Sequence, residues 1–265
     1  MTIKVAFNGL GRMGRAAARR VMEDGDFRIV GGYDPSGGGD DIGVMAGMTA
    51  LGVKAEAPEG MDASLKKNKP DVLVDFSTPQ AALSAAKAAA RAGVSMVVGT
   101  TGFTDAQAQE LRRTLADVGA VVSPNMSVGV NVFWKLVGEA AKDLKGYDAE
   151  VVEAHHRMKK DAPSGTALKA VKAIADATGA DLSKDVVYGR HGEARRRKGE
   201  IGVHSIRGGD IVGEHTVMFT TDGERFEVRH VAHTRDSFAS GVPAAIRFVK
   251  GRKGFYDMGD ALGLK

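Results

Sequence analysis

Ile3-Lys4-Val5-Ala6-Phe7-Asn8-Gly9-Leu10-Gly11-Arg12-Met13-Gly14 is the stretch on which the fold turns. Its apolar beginning, residues 3–7, reads as a short buried strand. Glycines 9, 11 and 14 follow, and an Ala/Arg-rich helical stretch runs on to about residue 23. A lone G-x-G-x-x-G is a weak signal. Here it closes a strand, opens a helix and is followed by an acid, Asp34, 20 positions beyond Gly14. That is the context the dinucleotide-binding fingerprint requires. Gly9 permits the tight turn, Gly11 lets the backbone approach a pyrophosphate, and Gly14 allows close helix–strand packing. The pyrophosphate sits on free N–H groups at the helix start. Asn8, Gly9, Leu10, Gly11, Arg12, Met13 and Asp34 are therefore candidate cofactor residues. A carboxylate at 34 accepts from the adenosine ribose hydroxyls and repels a 2′-phosphate. Pro35 adds no positive charge, so NADH is favoured, while Arg12 keeps NADPH open.

Outward from this loop, strands are expected at residues 27–33, 71–76, 94–98 and 120–123, with helices at 79–91 and 105–115. Repeated β-α units with near-continuous apolar strands imply a parallel sheet covered on both faces. Residues 35–61 give no clear elements. After a helix at 131–144 the pattern turns strand-rich, at 149–155, 201–207, 215–220 and 225–233. Asp222-Gly223 is a hairpin turn signal. This predicts an open, mixed sheet with one face on helices. The other face, expected to carry Val217, Phe219, Phe226 and Val228 in some combination, calls for an oligomer partner. Residues 243–250 read helical again. The expected fold is α/β, with a dinucleotide-binding domain at 1–126, to which 237–265 returns. A substrate-binding and oligomerisation domain occupies 127–236.

With 43% hydrophobic and 26% charged residues the chain has the balance of a globular protein, neither disordered nor fibrous. Its net charge of +4 favours an anionic ligand without arguing for nucleic acid. The absence of cysteine removes disulfides, zinc fingers, iron–sulfur clusters and thiol nucleophiles together. No run of about 18 apolar residues suggests a membrane span. The N-terminus lacks signal-peptide architecture, so a soluble, cytoplasmic protein is expected.

The densest chemistry lies in Glu153-Ala154-His155-His156-Arg157-Met158-Lys159-Lys160-Asp161-Ala162-Pro163-Ser164-Gly165-Thr166-Ala167. A strand ends in two histidines, a basic loop follows, and a helix starts at residues 163–166 and stops at Gly179. A helix start with Ser, Gly and Thr offers N–H and hydroxyl donors to an anion. The neighbouring histidines and lysines supply charge and protons. The plainer alternative is a solvated basic loop beside a capped helix. All seven histidines lie in the second half, but no paired metal-ligand spacing is present, so no metal is expected. The run Arg195-Arg196-Arg197-Lys198 reads as a solvated loop. Trp134 reads as core.

At these residues the sequence resembles the 4-hydroxy-tetrahydrodipicolinate reductase (dihydrodipicolinate reductase) family. The resemblance rests on residues 11–14, 75–79, 98–102, 125–131, 153–167, 204–209 and 255–258, and covers nearly the whole chain. It implies a Rossmann-like cofactor domain, an α+β substrate domain and a homotetramer. His155 and Lys159 are implied as the catalytic acid/base pair. His156, Gly165 and Thr166 are implied as substrate ligands. Gly99, Thr100 and Thr101, with Ser123, Pro124, Asn125 and Met126, are implied as cofactor contacts. The implied reaction is reduction of a cyclic, unsaturated 2,6-dicarboxylate by a nicotinamide hydride, in the diaminopimelate route to lysine. The glycine loop is one residue shorter than the family's Gly-x-x-Gly-Arg-Met-Gly.

The chemistry of the residues agrees. Hydride addition to a conjugated imine leaves an electron-rich enamine that must gain a proton, and a positioned Lys or His supplies it. Three rivals stand beside this reading. A dehydrogenase of another keto or imino acid has no need of the 155–166 block. A non-catalytic redox sensor can lose Lys159. A nucleic-acid binder rests on residues 195–198 alone, and neither nucleic acid nor membrane is expected as a partner.

Overall fold

The computed structural model describes residues 2–36 and 38–264. Its strands are β1 (Ile3–Asn8), β2 (Phe27–Tyr33), β3 (Val72–Asp75), β4 (Ser95–Val98), β5 (Gly119–Val122), β6 (Asp148–His155), β7 (Val186–Tyr188), β8 (Ile201–Arg207), β9 (Gly213–Thr221), β10 (Glu224–Ala232) and β11 (Gly254–Tyr256). Its α-helices are α1 (Arg12–Met22), α2 (Ile42–Met45), α3 (Met61–Asn68), α4 (Pro79–Ala92), α5 (Asp105–Thr114), α6 (Val128–Asp143), α7 (Gly165–Thr178), α8 (Val242–Val249) and α9 (Met258–Ala261). The chain divides into one unit of Met1–Val128 with Phe238–Lys265 and a second of Gly129–Ser237.

The first unit is built on a six-stranded sheet in the order β11-β5-β4-β3-β1-β2, and its strand pairs are parallel. Successive side chains of a strand point to opposite faces, so a strand buried on both sides is apolar throughout. Val72 and Val74 accordingly pack with Ala17 and Val21 of α1 and Ile246 of α8. Leu73 between them packs on the other face with Ala86 of α4 and Leu111 of α5. The order reverses direction between β1 and β3, the kind of switch point beside which α/β sheets bind ligands, outside the carboxyl ends of the strands.

The second unit is a five-stranded mixed sheet, β10-β9-β6-β8-β7, with β6, β8 and β7 parallel and β9 and β10 antiparallel to their neighbours. Helices α6 and α7 cover one face through Val130, Phe133, Trp134, Ala170, Val171 and Ile174. The register corrects one expectation. Phe219 sits opposite Phe226, and Val217 opposite Val228, so all four side chains share a face. Val217, Phe219 and Val228 belong to the core beneath the helices, and only Phe226, on the edge strand, is half-exposed. The opposite face carries Glu150, Thr216, Met218 and Glu227, the other parity of the same strands.

Among the described residues no helix is long and apolar enough to cross a membrane.

Candidate active site

Strand β1 delivers its glycines to the switch-point end of the first sheet. Gly9 has φ +84, a left-handed conformation that L side chains rarely adopt, and a Cβ there would strike the Phe76 backbone. A Cβ on Gly14 would strike the Gly9 carbonyl oxygen, so α1 lies directly on the turn. Gly11, the N-cap of α1, faces open space: a Cβ there would meet nothing within 4 Å. It makes no side-chain cap, and the first turn of α1 contains no acid. The loop is thus closed on its protein side and open on the other, with first-turn N–H groups aimed outward, which fits an anionic group such as a pyrophosphate.

Asp34 follows β2 and ties this loop down. Its Oδ2 accepts the Leu10 N–H at 2.7 Å and its Oδ1 accepts from the Ser36 N–H at 2.9 Å. Burial acts to raise its pKa, but the Ser36 and Leu10 hydrogen bonds outweigh it and hold the carboxyl below its ordinary value. Ser36 Oγ also donates to Oδ1, at 2.5 Å, so Asp34 stays an anion with a lone-pair site on Oδ2 to spare for a ribose hydroxyl. Arg12 is exposed, and the cation acting on the Asp34 carboxyl is Arg15; Met13 is half-buried against the core. The Leu10 side chain is buried, so only its backbone belongs to the loop surface.

A second acid, Asp75 at the end of β3, organises the neighbouring turns. It is fully buried and accepts from Asn8 Nδ2 at 2.6 Å, Ser77 Oγ at 2.7 Å and Thr100 Oγ1 at 2.5 Å. Burial pushes its pKa up, against those hydrogen bonds. Asn8 and Thr100 thus spend their side chains inward, joining the turns after β1, β3 and β4. Gly99 leaves no room for a Cβ beside the Phe76 ring, and Thr101 is exposed. After β5, Ser123 Oγ donates to the Asn125 carbonyl at 2.9 Å and Asn125 Oδ1 accepts the Ser127 N–H at 2.9 Å. Pro124 is exposed, whereas Met126 is core.

In the second unit, β6 alternates strictly between half-buried and buried residues along its eight positions. Its inward row is Ala149, Val151, Glu153 and His155, so two polar residues end an otherwise apolar row. Glu153 Oε2 meets His155 Nδ1 at 2.6 Å. Arg207, opposite His155 on β8, donates to both Glu153 oxygens, at 2.8 and 2.7 Å. The Ser164 N–H donates to Glu153 Oε1 at 3.1 Å. Burial acts to raise the Glu153 pKa, but hydrogen bonds from His155 and Arg207 overcome it and hold the carboxyl far below the usual range.

Ser164 is the N-cap of α7, its Oγ accepting the Ala167 N–H at 3.2 Å and bonding His215 Nε2 at 3.0 Å. The helix runs to Thr178 and ends at Gly179 with φ +79, a left-handed C-cap. Gly165 is exposed and Thr166 half-buried, at the free end of α7. Trp134 Nε1 holds the Thr166 carbonyl at 2.9 Å, and Lys169 lies 3.9 Å over the Trp134 ring. His215 packs edge-on against His155 with ring centres 5.1 Å apart. Its pKa is lowered to about 3, by burial and then by His155, so it remains neutral in ordinary buffers. Lys159, mostly buried, pairs with Asp161 at 2.9 Å, while Lys160 is exposed. His156 Nε2 lies 3.4 Å from Arg235.

The structure thus brings His155, His156, Lys159, Gly165 and Thr166 to one unit, and the glycine loop, Asp34, residues 99–101 and residues 123–126 to the other. Sequence reasoning missed Glu153, Arg207, His215, Arg235 and Asp75. The i, i+2 spacing of Glu153 and His155 on a strand was an available signal for the first; Arg207, His215 and Arg235 meet their partners across 46 or more residues, and Asp75 joins Asn8 and Thr100 across 67 and 25, which no local pattern announces. The basic run differs from a solvated loop at Arg196, which is mostly buried and pairs with Asp148 and Glu150, and at Arg197, which pairs with Glu200. Acids on β6 draw Arg196 down. Among the described residues no group of three or more His, Asp or Glu side chains is placed to hold a metal ion.

Two family descriptions match the chain: dihydrodipicolinate reductase, N-terminus, over residues 3–126, and dihydrodipicolinate reductase, C-terminus, over residues 129–262. The 4-hydroxy-tetrahydrodipicolinate reductase of Methanothermobacter thermautotrophicus is 47% identical over 273 residues, covering 99% of each chain. That of Methanocaldococcus jannaschii is 44% identical, covering 99% of this chain and 98% of its own. Among solved structures, the dipicolinate-bound dihydrodipicolinate reductase from Paenisporosarcina sp. TG-14 superposes with a TM-score of 0.78 at 29% identity, covering 97% of this chain and 98% of that one.

Proposed function

The chain belongs to the dihydrodipicolinate reductase family and is an oxidoreductase acting on 4-hydroxy-tetrahydrodipicolinate; from that premise we propose a division of labour among its residues within the diaminopimelate route to lysine. The Asn8–Met13 loop, Asp34, residues 99–101 and residues 123–126 hold a nicotinamide cofactor. When bound, that cofactor supplies the hydride. The donor set fits: a glycine cradle that a Cβ would fill, uncapped N–H groups at a helix start, and an ionised acid at the end of β2. The charge on Asp34 and the neutral Pro35 support NADH as the preferred form.

The observation that carries the substrate assignment is the joining of His155 to the start of α7 through Glu153. The N–H groups and Thr166 hydroxyl at that helix start bind one substrate carboxylate, and His156 binds the region of the other. His155 and Lys159 hold and deliver the proton that the reduced ring gains. A small dicarboxylate is thus the ligand, with no metal taking part. The partner is another copy of the chain, as a homotetramer in the cytoplasm. The family resemblance, rather than an apolar sheet face, supports the oligomer, since the face opposite α6 and α7 carries Glu150 and Glu227.

Pyridine-2,6-dicarboxylate tests the substrate assignment. It is expected to compete with substrate, and Thr166→Val is expected to weaken it by about 1–3 kcal/mol through loss of a hydroxyl donor. Inhibition constants measured for both proteins decide this. Equal inhibition of the two removes Thr166 from the site.

A further inference from the structure

Glu153 is the one acid on the inward face of β6, and it is fully buried. Its Oε2 takes His155 Nδ1 and Arg207 Nη1; its Oε1 takes the Ser164 N–H and Arg207 Nη2. An ionised carboxylate only accepts hydrogen bonds. Guanidinium and backbone N–H groups only donate. The Ser205 hydroxyl, which also bonds this carboxylate, and the His155 ring are the partners able to exchange roles; facing an anion the hydroxyl donates, and so must His155. Its proton therefore sits on Nδ1, which leaves Nε2 as the nitrogen free to serve the substrate.

We propose that Glu153 is a positioning residue for the reduction: it fixes the neutral tautomer of His155 with the proton on Nδ1, and with its other oxygen it seats the N–H of Ser164, so one buried anion sets both the imidazole and the start of the dicarboxylate-binding helix. This rests on the assignment of His155 to proton handling. The surroundings reinforce it. Arg207 is held in turn by the Asp161 carbonyl at 2.6 Å, which anchors the loop bearing Lys159. Ser164 Oγ engages His215, whose ring abuts His155, so both sides of the imidazole are braced.

Glu153→Gln gives a specific outcome. The amide keeps the shape but has one donor side. Toward Ser164 that side would face a backbone N–H that cannot become an acceptor. An Arg207 N–H faces either side alike, but toward His155 the amide also faces a ring nitrogen that can accept. The amide N–H₂ thus settles toward His155, and the imidazole gives up its Nδ1 proton and carries it on Nε2.

The experiment is nitrogen NMR of ¹⁵N-histidine-labelled full-length protein, recorded above the imidazole titration range, with the His155 signals assigned by their loss in His155→Gln. The unmodified protein is expected to show His155 protonated on Nδ1, and Glu153→Gln to show it protonated on Nε2. Steady-state kinetics of Glu153→Gln are expected to show kcat lowered on the order of 10²-fold with KM within about twofold, since the wrong tautomer is a transition-state defect. An Nε2-protonated His155 in the unmodified protein overturns the proposal, even if Glu153→Gln does not fold. An unchanged tautomer and kcat in a folded Glu153→Gln overturns it too. His155→Ala separates the premise: full kcat there removes His155 from the chemistry, whichever tautomer the spectra show.

Discussion

Lys159 and Lys160 are adjacent, equally charged and differently placed. Lys159 is mostly buried and oriented by Asp161 at 2.9 Å, whereas Lys160 lies in solvent. If Lys159 delivers the proton, Lys159→Ala lowers kcat by about 10²-fold or more and changes KM much less, because the lost interaction belongs to the transition state. Lys160→Ala is expected to stay within about twofold, as surface charges are screened. Steady-state kinetics of both variants check this; equal damage from the two would leave bulk positive charge as the better account. At this scale the sequence is legible wherever chemistry is local. The strand-loop-helix order of residues 149–179 places His155, Ser164 and Thr166 correctly in their elements. Arg207 is not legible as a partner of Glu153, because that pair is 54 residues apart and exists only once β6 and β8 align.

The elements are readable where their periodicity has room to repeat. Strands β2 and β8 and helix α5 match the expected spans to within a residue, since each carries a clear apolar rhythm or cap; Thr104 and Gln107 form a capping box that starts α5. Strands β7 and β11 have three residues each, too few for any period to show. The apolar side of the second sheet departs from expectation because a face depends on cross-strand register, which a single strand does not contain. The glycine turn gives the test at this scale. A methyl on Gly14 meets the Gly9 carbonyl, while a methyl on Gly11 meets nothing. Gly14→Ala is therefore expected to lower Tm through overpacking worth about 1–3 kcal/mol. Gly11→Ala is expected to leave Tm of the cofactor-free protein unchanged yet weaken cofactor binding, because the methyl occupies the approach of the pyrophosphate. Thermal denaturation and calorimetric cofactor titration of each variant separate the two roles; a normal cofactor affinity in Gly11→Ala would place the nucleotide elsewhere.

The whole molecule is two units, each built on its own sheet. One holds a glycine turn and an ionised acid on a parallel sheet; the other holds a histidine, a lysine and a Ser164-capped helix start on a mixed sheet. Family membership spans both halves, at residues 3–126 and 129–262, so neither half is borrowed from an unrelated activity. The central claim is reduction of 4-hydroxy-tetrahydrodipicolinate by a nicotinamide cofactor. Its most direct test is an assay on freshly synthesised substrate that follows the loss of reduced-nicotinamide absorbance, run separately with NADH and NADPH. The account predicts substrate-dependent oxidation of the cofactor, with a kcat/KM for NADH at least equal to that for NADPH. A protein that binds either cofactor but oxidises neither when substrate is added would contradict it.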